Sequence, residues 1–192
     1  MLRRIIEALA RLMAILGGLV LTVLILMTCL SILGRFLNGV LHGPLFDGTG
    51  FADWALGLGI GPINGDFELI EAGMAFCIFA FLPITQLKGG HASVDILTSR
   101  FGLTVNRVLT LLWALLFAAV MALIAWQLWL GTEAKMRYGE TTYLIQFPIW
   151  WAYAAALAGA TVTALIAVYI AVVRAAELLT RTDILPNEGV DP

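Results

Sequence analysis

The stretch that decides the fold is FELIEAGMAFCIFAFLPITQLKGGHASVD, residues 67–95. It opens with two carboxylates three residues apart, Glu68 and Glu71, continues as an apolar run, and closes on a Gly-Gly-His turn that leads to Asp95. Because a charge inside hydrocarbon is costly, the two glutamates should either lie at the water boundary or find a partner within the protein. The stretch therefore predicts a membrane helix with ionisable groups at both ends.

The composition of the whole chain is that of an integral membrane protein. Of its 192 residues, 61% are hydrophobic and only 12% are charged, whereas about 25% of a soluble domain is charged. The formal net charge is −2 and the basic residues form no run or stripe, so we expect no nucleic-acid binding. Both cysteines lie in apolar runs, where they behave as small hydrophobes.

Four apolar segments are long enough to form membrane helices, which need about 20 residues to cross the hydrocarbon core. The second contains Pro83, which leaves a backbone carbonyl without its usual donor, so a neighbouring helix must supply one. This predicts a kinked helix in contact with other protein. The four predicted spans are residues 12–33, 67–87, 108–130 and 147–173.

The sequence predicts one four-helix, all-α membrane domain, residues 1–181, followed by a polar tail, residues 182–192. The first span follows Arg3, Arg4 and Arg11 but is longer than the apolar core of about 7–15 residues in a secretory signal, so we expect it to be retained. Eight of the eleven Lys and Arg residues fall on the side of the two termini. This asymmetry predicts that both termini are cytoplasmic.

The two longer connections differ in character. The outer one, residues 36–66, contains eight glycines and no Lys or Arg, and its apolar part, residues 51–58, favours an interfacial or a re-entrant turn. The inner one places apolar residues at helical spacing over residues 91–101, which predicts a short amphipathic helix lying flat on the membrane.

Small residues recur at four-residue spacing in the first and fourth spans, a pattern that lets helix backbones approach closely. Alanine-rich membrane sequence produces the same spacing by chance, so both interpretations stay open. The residues are Ala14, Gly18 and Thr22 in the first span, and Ala155, Gly159 and Thr163 in the fourth.

The charges near the second span suggest contacts between helices. Arg35 ends the first span on the same side as Glu68 and Glu71, so an ion pair could tie the two helices together. A solvated helix N-terminus, where carboxylates are favoured, is the simpler interpretation of Glu68. Glu71 lies one turn deeper, and we expect it to pair with Arg35 or with a partner subunit.

No pattern in the sequence indicates an enzyme or a cofactor. His91 and Asp95 are too few to form a metal site, and the other histidine, His42, belongs to the opposite membrane face; we expect the pair to shape the inner turn through backbone hydrogen bonds. No histidine lies inside a span to bind haem. The span interiors offer few polar groups, so we expect a scaffold and not a pump.

Five short motifs, taken in order, resemble the small permease subunit (DctQ type) of tripartite ATP-independent periplasmic (TRAP) transporters over about residues 31–153. The outer loop is longer and richer in glycine than in many members. The motifs are Gly34-Arg35-Phe36, Glu68 to Glu71, Gly90-His91-Ala92-Ser93-Val94-Asp95, Gly139-Glu140-Thr141-Thr142 and Phe147-Pro148-Ile149-Trp150-Trp151.

The resemblance implies a non-catalytic subunit of the bacterial inner membrane. Its partners would be a large permease subunit (DctM type), which carries the substrate and sodium sites, and a periplasmic substrate-binding protein (DctP type), with membrane lipid around them. The implied activity is sodium-coupled uptake of a carboxylate-type solute.

By position, the residues of interest fall into three groups. Arg35, Glu68 and Glu71 are candidates for the interface with the large subunit. Asp47, Asp53, Lys135, Arg137 and Glu140 are candidates for docking of the binding protein, and His91 and Asp95 for the inner turn. The alternative functions are a four-helix accessory or assembly factor, the small subunit of a tripartite tricarboxylate carrier, and an autonomous small channel.

Overall fold

The computed structural model describes residues 2–44, 46, 49–88 and 103–180. Within these residues the chain forms five α-helices. Four are long and apolar enough to cross a membrane, which confirms the predicted all-α, four-span architecture. The helices are α1 (Leu2–Leu41), α2 (Gly50–Gly57), α3 (Asp66–Leu87), α4 (Leu103–Tyr138) and α5 (Ile149–Thr180). The predicted inner helix, residues 91–101, with His91 and Asp95, the docking candidate Asp47 and the tail, residues 182–192, lie outside the described residues.

The long helices pack side by side in the order α1, α3, α5, α4. Gly17 of α1 lies against Ala80 of α3, and Gly73 lies against Leu24, so α1 and α3 are antiparallel. The α4–α5 connection lies at the same end as the α1–α3 connection, because the Leu144 amide bonds to Glu68 at the start of α3. We call this end of the bundle the loop end. Arg3 and Thr180 lie at the other, the terminal end.

An apolar cluster joins the helices toward the terminal end. Ala10 of α1, which is fully buried, belongs to one cluster with two alanines of α4 and with the α5 residues Ile166, Ala167 and Ile170. Ile84 and Leu87 of α3 pack against the same cluster. Small side chains allow this close packing, which matters in a membrane because the surrounding lipid is as apolar as the helices themselves.

Pro83 is buried in α3, as expected for a helix that contacts others. Its ring nitrogen cannot donate to the carbonyl of Phe79 one turn earlier. The buried hydroxyl of Thr163 in α5 donates to that carbonyl at 3.0 Å and lies 2.9 Å from the Gly159 carbonyl in its own helix. Gly159 makes this approach possible, since a Cβ there would lie 2.8 Å from the Phe79 Cβ.

The small-residue pattern of the fourth predicted span is thus a contact surface, whereas that of the first is not. A Cβ added at Gly18 would meet nothing within 4 Å, but one at the neighbouring Gly17 would lie 2.9 Å from the Ala80 Cβ. The Thr22 hydroxyl bonds back to Gly18 on the exposed side of α1. In α1, therefore, the close contact is made one position away from the four-residue pattern.

The connection between α1 and α3 is more ordered than the sequence suggested. Helix α1 continues to Leu41, and α2 begins after Thr49, whose side chain caps the Ala52 amide. Ala52 and Ala55 of α2 pack against Leu41. Residues 51–58, which the sequence analysis predicted to form an interfacial or re-entrant turn, therefore belong to a short helix that packs on the end of α1.

Removing the Thr163 hydroxyl should destabilise the bundle. We expect Thr163→Val to lower the free energy of unfolding by about 1–2 kcal/mol, because the Phe79 carbonyl then has no donor. Thr161→Val is the matched control, since the Thr161 hydroxyl bonds only within α5, on an exposed face. The measurement is thermal unfolding in detergent.

The double variant Pro83→Ala with Thr163→Val separates this bond from general packing. Alanine restores the backbone N–H that proline lacks, so the loss caused by Thr163→Val should shrink in that background. A loss of equal size with and without the Pro83→Ala change would contradict the assignment.

Candidate functional site

At the loop end of the bundle, the carboxylate of Asp66 ties α1 to α3. Its carboxylate accepts a hydrogen bond from the buried Ser31 hydroxyl at 2.6 Å and another from the Phe67 amide at 2.9 Å. The Ser31 oxygen in turn accepts from the Ile63 amide at 3.2 Å. Asp66 itself is only 7% exposed, so this short network fixes where α3 begins.

Arg35 joins this network and not the glutamates. Its guanidinium lies 3.7 Å from Asp66 and 6.0 Å from the centre of the Phe67 ring, a separation at which a cation and an aromatic face attract. The sequence predicted an ion pair between the first two long helices but expected Glu68 or Glu71 as the acid. The sequence analysis did not single out Asp66. This residue directly precedes an apolar run, and acidic residues are favoured in the first turn of a helix.

Glu68 ties α3 to the α4–α5 connection. One oxygen of its carboxylate accepts from the Leu144 amide at 2.7 Å, and the other accepts from the Ile145 amide at 3.1 Å. Glu68 is therefore not a freely solvated group at a helix terminus, because two backbone donors take the place of water. No pattern within residues 139–148 alone could have indicated this long-range contact.

The α4–α5 connection has its own internal structure, which presents these amides. The Thr142 amide donates to the Phe147 carbonyl at 2.9 Å, and the Phe147 amide donates to the Thr142 hydroxyl at 3.0 Å. Gly139, at the end of α4, has a φ of 62°, a conformation that favours glycine. The Gly-Glu-Thr-Thr and Phe-Pro motifs thus build the loop that Glu68 holds.

Glu71 borders a cleft between α3, α4 and α5. The cleft has a volume of about 350 Å³ and is mostly apolar, with Ala75 and Phe79 on the α3 side, Leu128 on α4, and Tyr153 on α5. The Glu71 side chain is exposed. Among the residues that the structure describes, it has neither a hydrogen bond nor an ion pair, so Arg35 is not its partner.

The docking candidates do not form one cluster. Asp53 lies on the exposed side of α2, which packs on α1. Lys135 pairs with Glu140, and Arg137 pairs with Glu133 on the exposed face of α4. The structure therefore divides these charges between two separate parts of the loop end.

In the part of the chain that the structure describes, no group of three or more His, Cys, Asp or Glu side chains is arranged to hold a metal ion. Cys77 is buried, and its thiol lies 3.4 Å from the Gly17 carbonyl, whereas Cys29 is exposed. Within the described residues, the arrangement offers helix-to-helix ties at the loop end, while the carboxylates of Asp53 and Glu71 have neither a hydrogen bond nor an ion pair.

A family model described as "Tripartite ATP-independent periplasmic transporters, DctQ component" matches residues 24–180. The chain belongs to the DctQ family. The match confirms the resemblance drawn from the five motifs and extends it to the fourth long helix. No curated protein and no solved structure was found to match the chain.

Membership of the DctQ family makes the protein a small membrane component of a TRAP transporter, which works together with the other components of that transporter. The four long apolar helices agree with a multi-pass membrane protein. DctQ proteins are transporter subunits, a class that is generally non-catalytic.

Replacing Glu68 should loosen the α4–α5 connection without unfolding the bundle. In Glu68→Ala the Leu144 and Ile145 amides lose their acceptors, so we expect their hydrogen exchange to become about tenfold faster. Glu71→Ala is the matched control, since the Glu71 side chain accepts from neither amide. The measurement is hydrogen exchange by mass spectrometry on peptides covering residues 142–147, compared between the two variants. Equal exchange rates in Glu68→Ala and Glu71→Ala would contradict the assigned role of Glu68.

Proposed function

We propose that this DctQ component braces the large permease subunit (DctM type) of a TRAP transporter and helps to dock its periplasmic binding protein (DctP type). The transporter would take up a carboxylate-type solute with sodium across the bacterial inner membrane. The observation that carries the proposal is the apolar character of the spans. Between Leu12 and Gly34 in α1, and from Ala72 to Leu87 in α3, no residue is charged.

The fourth and fifth helices support the same conclusion. The middle of α4, residues 108–132, and the first part of α5, residues 149–173, also contain no charged residue. Paths for ions and polar solutes through membrane proteins are lined by polar or ionisable side chains. A chain with spans of this kind fits a structural role, with the moving and binding parts on another polypeptide.

The distribution of basic residues supports an orientation with the loop end in the periplasm. The cytoplasmic side of a membrane protein carries the excess of Lys and Arg, and here that excess lies at the terminal end, with Arg3, Arg4 and Arg11 in α1. In this orientation Asp47, Asp53, Lys135, Arg137 and Glu140 face the compartment of the binding protein.

The residues expected to assemble the complex lie just below that surface. Arg35 and Glu68 hold the loop end together from within, so we assign them an indirect part in the interface, through the shape of α3 and the α4–α5 connection. Glu71 is available for direct contact. His91 and Asp95 remain candidates for shaping the inner turn.

Gentle purification of the tagged chain from its native membrane tests the proposal. We expect a much larger membrane protein with many apolar spans to be recovered in nearly equal amount and to be identified by mass spectrometry as the DctM-type subunit. We expect the partner to be recovered with the chain because DctQ proteins are components of multi-component transporters. Recovery of the chain alone, under conditions that keep other membrane complexes intact, would contradict the proposal and favour an accessory factor.

A further inference from the structure

One face of α3 has no covering helix in the described chain. Helix α1 packs on the side of α3 that carries Cys77 and Ala80, and α5 packs on the side of Phe79. The remaining face of α3 is exposed: the exposed fraction is 68% for Phe67 and 56% for Ile78. We call this surface the α3 stripe; its residues are Phe67, Glu71, Met74 and Ile78.

The spacing of the α3 stripe is that of a helix-packing surface. Its members are separated by four, three and four residues, so they form a single row along the helix. All three apolar members, Phe67, Met74 and Ile78, are large. A second helix laid along this row would fill the space on one side of α3 with the same geometry that helix pairs use elsewhere.

Glu71 lies inside the hydrocarbon layer when α3 spans a membrane. From Asp66 to Lys88 the helix rises about 33 Å, close to the hydrocarbon thickness of about 30 Å. Arg35 and Asp66 mark one boundary of that layer, and Lys88 marks the other. Glu71 follows Asp66 by five residues and is therefore about 7.5 Å deeper along the helix axis.

A carboxylate at this depth that faces lipid is unfavourable, and such groups in membrane helices face protein or pair with an opposite charge. The two neighbouring acids satisfy this rule within the chain, because Asp66 bonds to Ser31 and Glu68 bonds to two backbone amides. Glu71 has no such partner among the described residues. Its partner must come from outside them.

We propose that the α3 stripe is the binding surface for one transmembrane helix of the large permease subunit, and that this helix places a Lys or Arg side chain against Glu71. The proposal rests on the proposed function, since it names where and by what chemistry the larger subunit binds. A soluble protein is a poor occupant because the stripe extends about 16 Å along α3 from Phe67 to Ile78, into the hydrocarbon layer.

A second copy of this chain is also a poor occupant. A symmetric pair of chains in the same membrane places identical residues at identical depth, so a two-fold contact through the α3 stripe would bring Glu71 toward its own copy. The basic residues that the structure describes at the loop end already have acidic partners within the chain: Arg35 lies beside Asp66, Lys135 beside Glu140 and Arg137 beside Glu133. A chain of different sequence is therefore the better source of a positive charge opposite Glu71.

The cleft beside Glu71 suggests how the basic side chain is held. Its volume of about 350 Å³ accommodates a long side chain, and the Tyr153 ring and Ala72 line it next to Glu71. The methylene stem of a Lys or Arg packs well on such apolar surfaces while its charged head reaches a carboxylate. The charge-assisted bond then forms where lipid and water are both excluded.

Site-specific photo-crosslinking locates the partner helix. Benzoylphenylalanine placed at Ile78 should crosslink to the large subunit in the assembled complex. The same group at Leu123 of α4, which is 59% exposed in this chain and also lies mid-helix, should give at least about tenfold less of that product if α4 faces lipid. Equal crosslinking at the two positions, or lipid adducts alone at Ile78, would overturn the proposal.

Charge reversal tests the role of Glu71. We expect Glu71→Lys to reduce the recovered complex at least about tenfold and Glu71→Gln to reduce it less, because the neutral amide still donates and accepts hydrogen bonds. Glu133→Lys on α4 is the matched control, since Glu133 is an exposed acid that pairs within its own helix, and it should leave recovery unchanged. Thermal unfolding of each purified chain confirms that the variants fold.

A compensating change makes the result specific. The basic residue to change is the Lys or Arg that lies about two helical turns, or about 10.5 Å, from the site in the large subunit that crosslinks to position 78. Its reversal to Glu should restore the complex with Glu71→Lys. Recovery of Glu71→Lys at the level of the unmodified chain would overturn this inference and leave the proposed function intact. Failure of the unmodified chain to recover any large subunit would instead count against the proposed function itself.

Discussion

The rest of the structure depends on how α3 is held at its two ends. At the loop end, Asp66 binds Ser31 on α1, and Glu68 binds the backbone of the α4–α5 connection. At the terminal end, Ile84 and Leu87 pack on the shared apolar cluster. Because α3 lies between α1 and α5 in the row of helices, these contacts set the position of both neighbours.

The two kinds of contact suit the two environments. Within the span, association of helices gains little from the hydrophobic effect, so close packing of small residues and a few buried hydrogen bonds must hold them. Gly17, Gly159 and the bond from Thr163 to the Phe79 carbonyl meet this need. At the loop end, carboxylates can use backbone amides and hydroxyls that irregular segments leave available.

The sequence predicted the four membrane spans and the family, because these follow from hydropathy and from short motifs. It predicted that a neighbour must complete the carbonyl freed by Pro83, but not that Thr163 does so. It offered Arg35 or a partner subunit as the partner of Glu71, and the structure places Arg35 beside Asp66 instead. Side-chain partners 35 or 76 residues apart, such as Ser31 with Asp66 and Glu68 with Leu144, depend on how helices pack, which a single sequence does not specify.

We infer that the chain stabilises a transporter without conducting anything itself. The described spans carry their charges near the ends, and Glu71, which lies deeper, is placed to meet another polypeptide. Uptake of labelled solutes can be measured in sodium-loaded and sodium-free vesicles that contain only this chain. We expect no accumulation above that of empty vesicles, whereas sodium-dependent accumulation by the chain alone would show that it conducts solute without a partner.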